Sequence, residues 1–441
     1  MPQKASAAAR IGALLIATLL ANGILAPAQD KYDLLIRQGH VIDVKNGIDG
    51  VRDVAIKDHR IAAVAPNLSA ASATEIIDAK GLYVTPGLID IHVHVYAGTG
   101  RRSVYCGDNS VYPDGFTFRT GVTTVADAGS SGWRTFPDFK DRVIDRARTR
   151  VLAFLNIVGA GMCGKVEQDL NEMDAEAAAN MIKQYPEQII GIKTAHYAGP
   201  EWTPVERAVA AGRLTNVPVM VDFGDFRPER PYEQLVTEKL RPGDISTHMY
   251  LGAIPMLDSS GKVRSFEFEA RKRGVTFDVG HGGGSFLFRQ AVPAVEQGFL
   301  PDSISTDLHI GSMNAGMQDM TNVMSKFLNM GVPLEKVIAE STWNPAREIK
   351  RETLGNLSPG SPADVAILSL QHGNFGFVDT FGARLRGDRK LVCETTIRDG
   401  AVVWDLNGIT RTDWKKLPKD YKAQGDAVWD GMLNSTVRAR K

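Results

Sequence analysis

The chain has 441 residues, 43% of them hydrophobic and 23% charged. These are values of a folded globular protein and exclude disorder or a collagen-like repeat over most of its length. Its 51 Lys and Arg balance 51 Asp and Glu, which argues against bulk electrostatic binding of nucleic acid.

Residues 1–28 carry the pattern of a secretory signal peptide. Lys4 and Arg10 precede an apolar run from Ile11 to Leu25, and Ala26-Pro27-Ala28 follows as an A-x-A-like site. Cleavage after Ala28 is predicted, with an uncleaved N-terminal anchor as the alternative. Loss of Lys4 and Arg10 leaves 49 positive against 51 negative residues, a net charge of −2. The mature protein is expected in the periplasm or outside the cell, with no membrane association. Three cysteines are too few for a disulfide-built scaffold. In an oxidising compartment, Cys106 and Cys163, both beside glycines, could form a bridge. Three free thiols fit the sequence equally well, since spacing does not fix connectivity.

Residues 31–84 read as short strands (33–37, 40–43, 53–57, 60–64 and 74–78) separated by turn signals such as Lys45-Asn46-Gly47. From residue 84 the rhythm changes. Apolar strand candidates at 84–94, 122–128, 151–159, 189–195, 218–224, 245–250, 276–282 and 303–309 alternate with helical stretches at 135–148, 174–185, 204–214, 231–240, 265–273, 286–297 and 320–330. Continuous apolar strands between amphipathic helices indicate parallel β/α units. Eight of them predict a TIM (β/α)8 barrel over 85–356, with a doubly wound sheet as the alternative. Strands return at 363–368, 390–398 and 401–406. Neither end alone has enough strands to bury a face, so 29–84 and 357–412 are expected to join in one β-sandwich domain. A charged tail occupies 413–441.

Several barrel strands end in residues able to bind metal. His92 and His94 lie at i and i+2 after Gly87-Leu88-Ile89-Asp90-Ile91 and project from one face at the C-terminal rim, where barrel active sites sit. Lys193 ends the apolar run I-I-G-I-K. A buried lysine is costly unless paired or neutralised, and carbamate formation with CO2 is one solution. His248, His281 and Asp307 end strands six, seven and eight. His196, three residues past Lys193, is a further candidate ligand. His309 lies near the site, whereas His40, His59 and His372 read as structural. Arg101, Arg102, Arg227 and Arg230 are loop arginines that could hold a substrate carboxylate, though exposed loop charge is the plainer reading.

These residues resemble the amidohydrolase superfamily of metal-dependent hydrolases. The matching pieces are P-G-L-I-D-I-H-V-H at 86–94, G-I-K at 191–193, T-H at 247–248, S-T-D-L-H at 305–309, T-W-N-P-A-R at 342–347 and G-N-L-S-P-G-S-P-A-D at 355–364. D-A-G-S-S-G at 127–132, R-P-G-D at 241–244 and V-G-H-G-G-G-S-F at 279–286 resemble the amidohydrolase/deacetylase branch. The resemblance implies two divalent metals, usually zinc. His92, His94 and Asp307 would hold one, with carboxylated Lys193 bridging to a second beside His248. It implies attack by metal-activated hydroxide on an amide or acyl ester, with Asp307 as general base and His281 touching substrate. The family's strand-five histidine is replaced by Asp222 in P-V-M-V-D-F-G. Asp222 could take over as a ligand, His196 could supply the imidazole, or the second site could be weakened. Cyclic amide or dipeptide hydrolysis, and a non-catalytic scaffold, are the other readings. A small-molecule substrate and a homo-oligomer are expected.

Overall fold

The computed structural model describes residues 31–418. The expected signal peptide, and the tail beyond 418, lie outside the described residues. Among the described residues no helix is long and apolar enough to cross a membrane.

Both ends of the chain build one mixed sheet. Strands β1 (Tyr32–Asp43), β2 (Ile48–Lys57), β3 (Arg60–Ala65), β4 (Ala73–Asp78) and β5 (Tyr83–Pro86) come from the N-terminal side. A second strand set begins with β6 (Leu88–Val93), β7 (Val122–Gly132) and β8 (Arg150–Asn156), continues with β9 (Ile189–Thr194) and β10 (Val219–Val221), and ends with β11 (Ile245–Ser246) and β12 (Thr276–Phe277). Strands β13 (Val365–Val378), β14 (Arg384–Arg398) and β15 (Ala401–Asp405) rejoin the first sheet. Its order is β15-β14-β13-β5-β1-β2-β3, with β4 on β1. The expected domain from the two chain ends is therefore one continuous eight-stranded sheet, sewn by the antiparallel β5–β13 pair. Period-two alternation lets β13 serve two cores. Val365 and Ile367 pack with Leu34, Ile36 and Val84 on one face, whereas Ala366 and Leu368 join the large barrel core on the other.

The second sheet runs β6 to β12 in chain order, all parallel. Single parallel bridges from Asp278 to Ser303 and from Val93 to Leu308 place residues 303–308 between β12 and β6. This closes the eight-membered wall expected of a TIM barrel. The eighth position pairs too sparsely to run as a regular strand. The expected strand 84–94 is two strands, because Pro86 has no N–H to extend a ladder and Gly87 lies against β7. A Cβ at Gly87 would sit 2.3 Å from Thr123 Oγ1. The chain changes sheets at this point.

The helices at Ala175–Gln184, Thr203–Thr215, Ser265–Lys272, Phe288–Glu296 and Met320–Asn329 fall where their apolar periodicity put them. The first has Asp174 as N-cap, accepting from the amides of Glu176 and Ala177. Cys106 and Cys163 are joined in a disulfide across 57 residues, while Cys393 is free and buried. The bridge ties the long loop after β6 to the loop after β8.

Candidate active site

Strand β6 ends in Ile91-His92-Val93 and continues to His94. Both rings point into the barrel mouth and are almost fully buried. Each imidazole is fixed through Nδ1. Thr247 Oγ1 donates to Asp278 Oδ2 at 2.7 Å, so it accepts from His92 Nδ1 at 2.8 Å. His94 Nδ1 is 2.9 Å from Ser130 Oγ. His248 Nδ1 donates to the carbonyl of Gly280 at 2.5 Å. With Nδ1 engaged on the protein side, all three rings turn Nε2 toward one centre, an arrangement that orients metal-ligating histidines.

The other donors meet them there. Asp307 Oδ1 lies 3.1 Å from His94 Nε2 and 3.8 Å from His92 Nε2, yet this buried oxygen has no hydrogen-bond partner. Lys193 Nζ is 3.3 Å from His92 Nε2. Ligand atoms of His92, His248 and Asp307 all lie within 4.8 Å of one another. Imidazole nitrogens, carboxylates and an amine converging around an orphaned carboxylate oxygen fit a divalent cation of the zinc type. Burial and the neighbouring Lys193 push His92 down to about 3, so its ring is neutral, as a ligand must be. Burial also lowers Lys193, against the pull of Asp222 and Asp307. Burial would raise Asp307, but the close His94 ring and the other surrounding imidazoles hold it well below the usual carboxylate range.

Backbone geometry supports the same cradle. His248 and Asp307 have φ of 58° and 51°, left-handed values that are uncommon outside glycine and cluster at functional sites. Gly282, itself at φ 58°, passes so close to Asp307 that a Cβ would lie 2.6 Å from Oδ2.

Asp222, in the position of the missing histidine, stands between two imidazoles. Its Oδ2 is 3.4 Å from His248 Nε2 and 3.4 Å from His196 Nε2. His196 Nδ1 is 2.9 Å from Glu167 Oε2. Burial disfavours charge on His196, but hydrogen bonds to Asp222 and Glu167 push it up to about 10. His196 is thus a doubly paired cation with both ring nitrogens directed at carboxylates.

His309 differs from the others in its tautomer. Its Nδ1 accepts from the amides of Gly311 and Ser312, so a neutral ring carries its proton on Nε2, 3.8 Å from Asp307 Oδ2. It is a donor facing the site. Tyr105, His196, Asp222, His248, Asp307 and His309 line a cavity of about 510 Å³ above the cradle.

One expectation is corrected, and the substrate-binding alternative for the loop arginines gains no support. His281 does not face substrate: it is fully buried, stacked on Phe286 at 4.4 Å, with Nδ1 on the Gly282 carbonyl and Nε2 2.6 Å from Lys326 Nζ. Among the described residues no arginine lines the cavity. Arg230 is buried against Tyr197 and Phe223 and donates to the Tyr197 carbonyl, Arg227 donates to the Ala198 carbonyl, and Arg101 packs on the disulfide sulfurs. Tyr105 and Glu167 come in from the loops after β6 and β8 and Lys326 from the helix Met320–Asn329, none of them a strand end, so no signal in the sequence marks their roles.

The chain is similar to known proteins over most of its length. Residues 288–403 match the model of the amidohydrolase family. A deacetylase of Brucella anthropi is 35% identical over 349 residues, covering 76% of this chain and 83% of that protein. A deacetylase of Agrobacterium fabrum is 35% identical over 339 residues, covering 74% and 80%. Among solved structures, an adenine deaminase superposes with TM-score 0.77 at 30% identity over 85% of this chain and 100% of that one. A dihydroorotase does so with TM-score 0.74 at 30% identity over 84% and 97%. With relatives this similar over most of their own length, and a barrel mouth built from the residues that match the family motifs, the chain belongs to the amidohydrolase family of hydrolases.

Proposed function

We propose that the protein is a deacetylase-like metal hydrolase that cleaves the acyl group from an N-acyl amino acid or an O-acyl hydroxy acid. The observation that carries this reading is the meeting of ligand atoms of His92, His248 and Asp307 within 4.8 Å of one another, with Lys193 Nζ 3.3 Å from His92 Nε2 and the unpartnered Asp307 oxygen 3.1 Å from His94 Nε2. His92, His94 and Asp307 would hold one divalent ion, and Lys193, His248 and Asp222 a second. Metals in such a site supply an activated water and a polarised carbonyl. Asp222 acts as the strand-five ligand, and His196 with Glu167 holds it in place, because both His196 nitrogens are already committed to carboxylates. Lys193, whose ammonium form is disfavoured by burial, is the amine that would take up CO2 and release a proton to give a carbamate able to ligate metal. Asp307, held ionised, accepts the proton of the attacking water and returns it to the leaving group. His309 presents Nε2–H toward that carboxylate and steadies its charge. The signal-like N-terminus and the Cys106–Cys163 bridge both favour an oxidising compartment outside the cytoplasm.

The test is elemental analysis of purified protein expressed with bicarbonate and zinc, with hydrolysis screened on acylated amino and hydroxy acids. About two metals per chain are expected, as in two-metal hydrolases. Activity should be lost to a chelator and restored by zinc. Asp307→Asn should abolish turnover. A protein that takes up no metal would refute the reading. Cyclic amide hydrolysis is the second reading, favoured by the likeness to the solved dihydroorotase, and dihydropyrimidine-type substrates belong in the same screen.

A further inference from the structure

The loop between His94 and the short turn Pro113–Gly115 crosses the mouth of the barrel. It brings one aromatic ring over the cradle. Tyr105 lies 4.3 Å, ring to ring, from His94, edge-on to His309 at 5.1 Å, and 5.9 Å from His196. The ring thus touches imidazoles on both sides of the cradle and lines the cavity above it. Its hydroxyl makes no hydrogen bond to any described residue. A tyrosine phenol is protonated at neutral pH and so a donor.

The next residue is Cys106. Its disulfide to Cys163 is reinforced by the Cys106 amide on the Met162 carbonyl at 3.1 Å and by Thr99 Oγ1 on the Cys106 carbonyl at 2.6 Å. Ser110 Oγ donates to the Tyr105 carbonyl at 2.5 Å, and the Val111 amide returns to the His94 carbonyl at 3.1 Å. Gly107 is packed so closely that a Cβ would lie 2.1 Å from the Arg101 carbonyl oxygen. Loop 96–111 has no regular secondary structure apart from turns, so the covalent tie from Cys106 to the β8 side is its strongest constraint.

We propose that Tyr105 is a substrate-positioning lid over the metal cradle and that the Cys106–Cys163 disulfide is the fastening that holds it there. The phenol O–H donates to an oxygen of the acyl substrate, and the ring shields the ligands from solvent. This rests on the metallohydrolase reading and adds a specificity residue to it.

Three variants of the zinc-loaded protein separate the parts. Tyr105→Phe keeps the ring and should raise KM with kcat and the rate of zinc loss to a chelator unchanged, the signature of lost ground-state binding. Tyr105→Ala and the C106S/C163S double variant should both lose zinc several-fold faster than wild type. The double variant should also exchange backbone amides over 104–111 faster, with the barrel strands unchanged. Wild-type zinc release in both Tyr105→Ala and C106S/C163S overturns the lid. Unchanged exchange over 104–111 overturns the fastening. If no form takes up zinc, the hydrolase reading itself fails, and the exchange measurement still decides whether the disulfide holds the loop.

Discussion

Lys193 can stay buried beside His92 only because the wall behind it is empty of side chain. Gly129 on β7 has φ of 89°, and a Cβ there would lie 2.7 Å from both Cβ and Cγ of Lys193. An alanine must therefore adopt a strained backbone and displace a lysine stem held on strand β9. Gly129→Ala is expected to cost about 1–3 kcal/mol, read as a lowered urea midpoint, and to reduce metal content. A wild-type midpoint would mean that the wall yields. At this scale the site is legible in the sequence where ligands end apolar runs. His92, His94, Lys193, His248 and Asp307 all meet, because strand ends of a barrel converge whatever their loops do. His281 also ends such a run, yet it turns away, because a buried Lys326 on the helix Met320–Asn329 captures its ring. Tyr105 and Glu167 are set by loops, and no spacing along the chain records which loop tips touch.

At the scale of elements, continuous apolar strands and capped amphipathic helices read through from sequence, and breaks inside apolar runs do not. The Pro86-Gly87 hinge sits between the apolar pieces 82–84 and 88–91, close enough together to read as one strand. The helices Leu334–Ala339 and Trp343–Glu348 are only six residues each, too short for their periodicity to stand out, and Pro345 lies within the second. The hairpin of β13 and β14 runs further than expected, because Gln371, His372 and Asn374 are exposed and polar yet paired across the ladder or beside it. Helix Ser265–Lys272 holds a titratable liability of its own. Glu267 is fully buried with neither carboxylate oxygen hydrogen-bonded. Burial pushes it up to about 8, with Arg271 offering partial relief. An acid whose folded pKa is above its unfolded value binds its proton more tightly when folded. Its contribution to stability is therefore full below pH 4.5 and is lost as pH rises through about 8. Glu267→Gln removes the ionisable group, and its stability advantage over wild type should grow with pH in that window, by up to on the order of 5 kcal/mol. Denaturant melts across the range measure this difference, and a difference flat with pH would refute the assignment.

At the scale of the molecule, the barrel and the terminal sheet share a chain path and a core, and one carboxylate joins them. Asp364 is 7% exposed. Its side chain accepts from the Asp399 amide at 2.8 Å and pairs with Arg398 of β14 at 3.4 Å and with Arg150 at the start of β8. Its carbonyl accepts the Gly87 amide at 2.8 Å, at the point where β5 hands over to β6. The family motif G-N-L-S-P-G-S-P-A-D ends on this residue, so its aspartate has a mechanical reason. It locks the sheet built from both termini onto the N-terminal end of the barrel wall, opposite the catalytic rim. Asp364→Ala would leave two arginines facing each other without their shared anion, and breaking a buried pair in this way costs about 3–5 kcal/mol. Because the large core runs from the barrel strands into Ala366, Leu368, Leu391 and Cys393 of the sheet, the loss should lower a single transition. Tryptophan fluorescence and far-UV circular dichroism should still coincide in the variant. Two separated transitions would mean that Asp364 holds together units able to fold apart, and that the metal site in the barrel does not depend on the sheet for its stability.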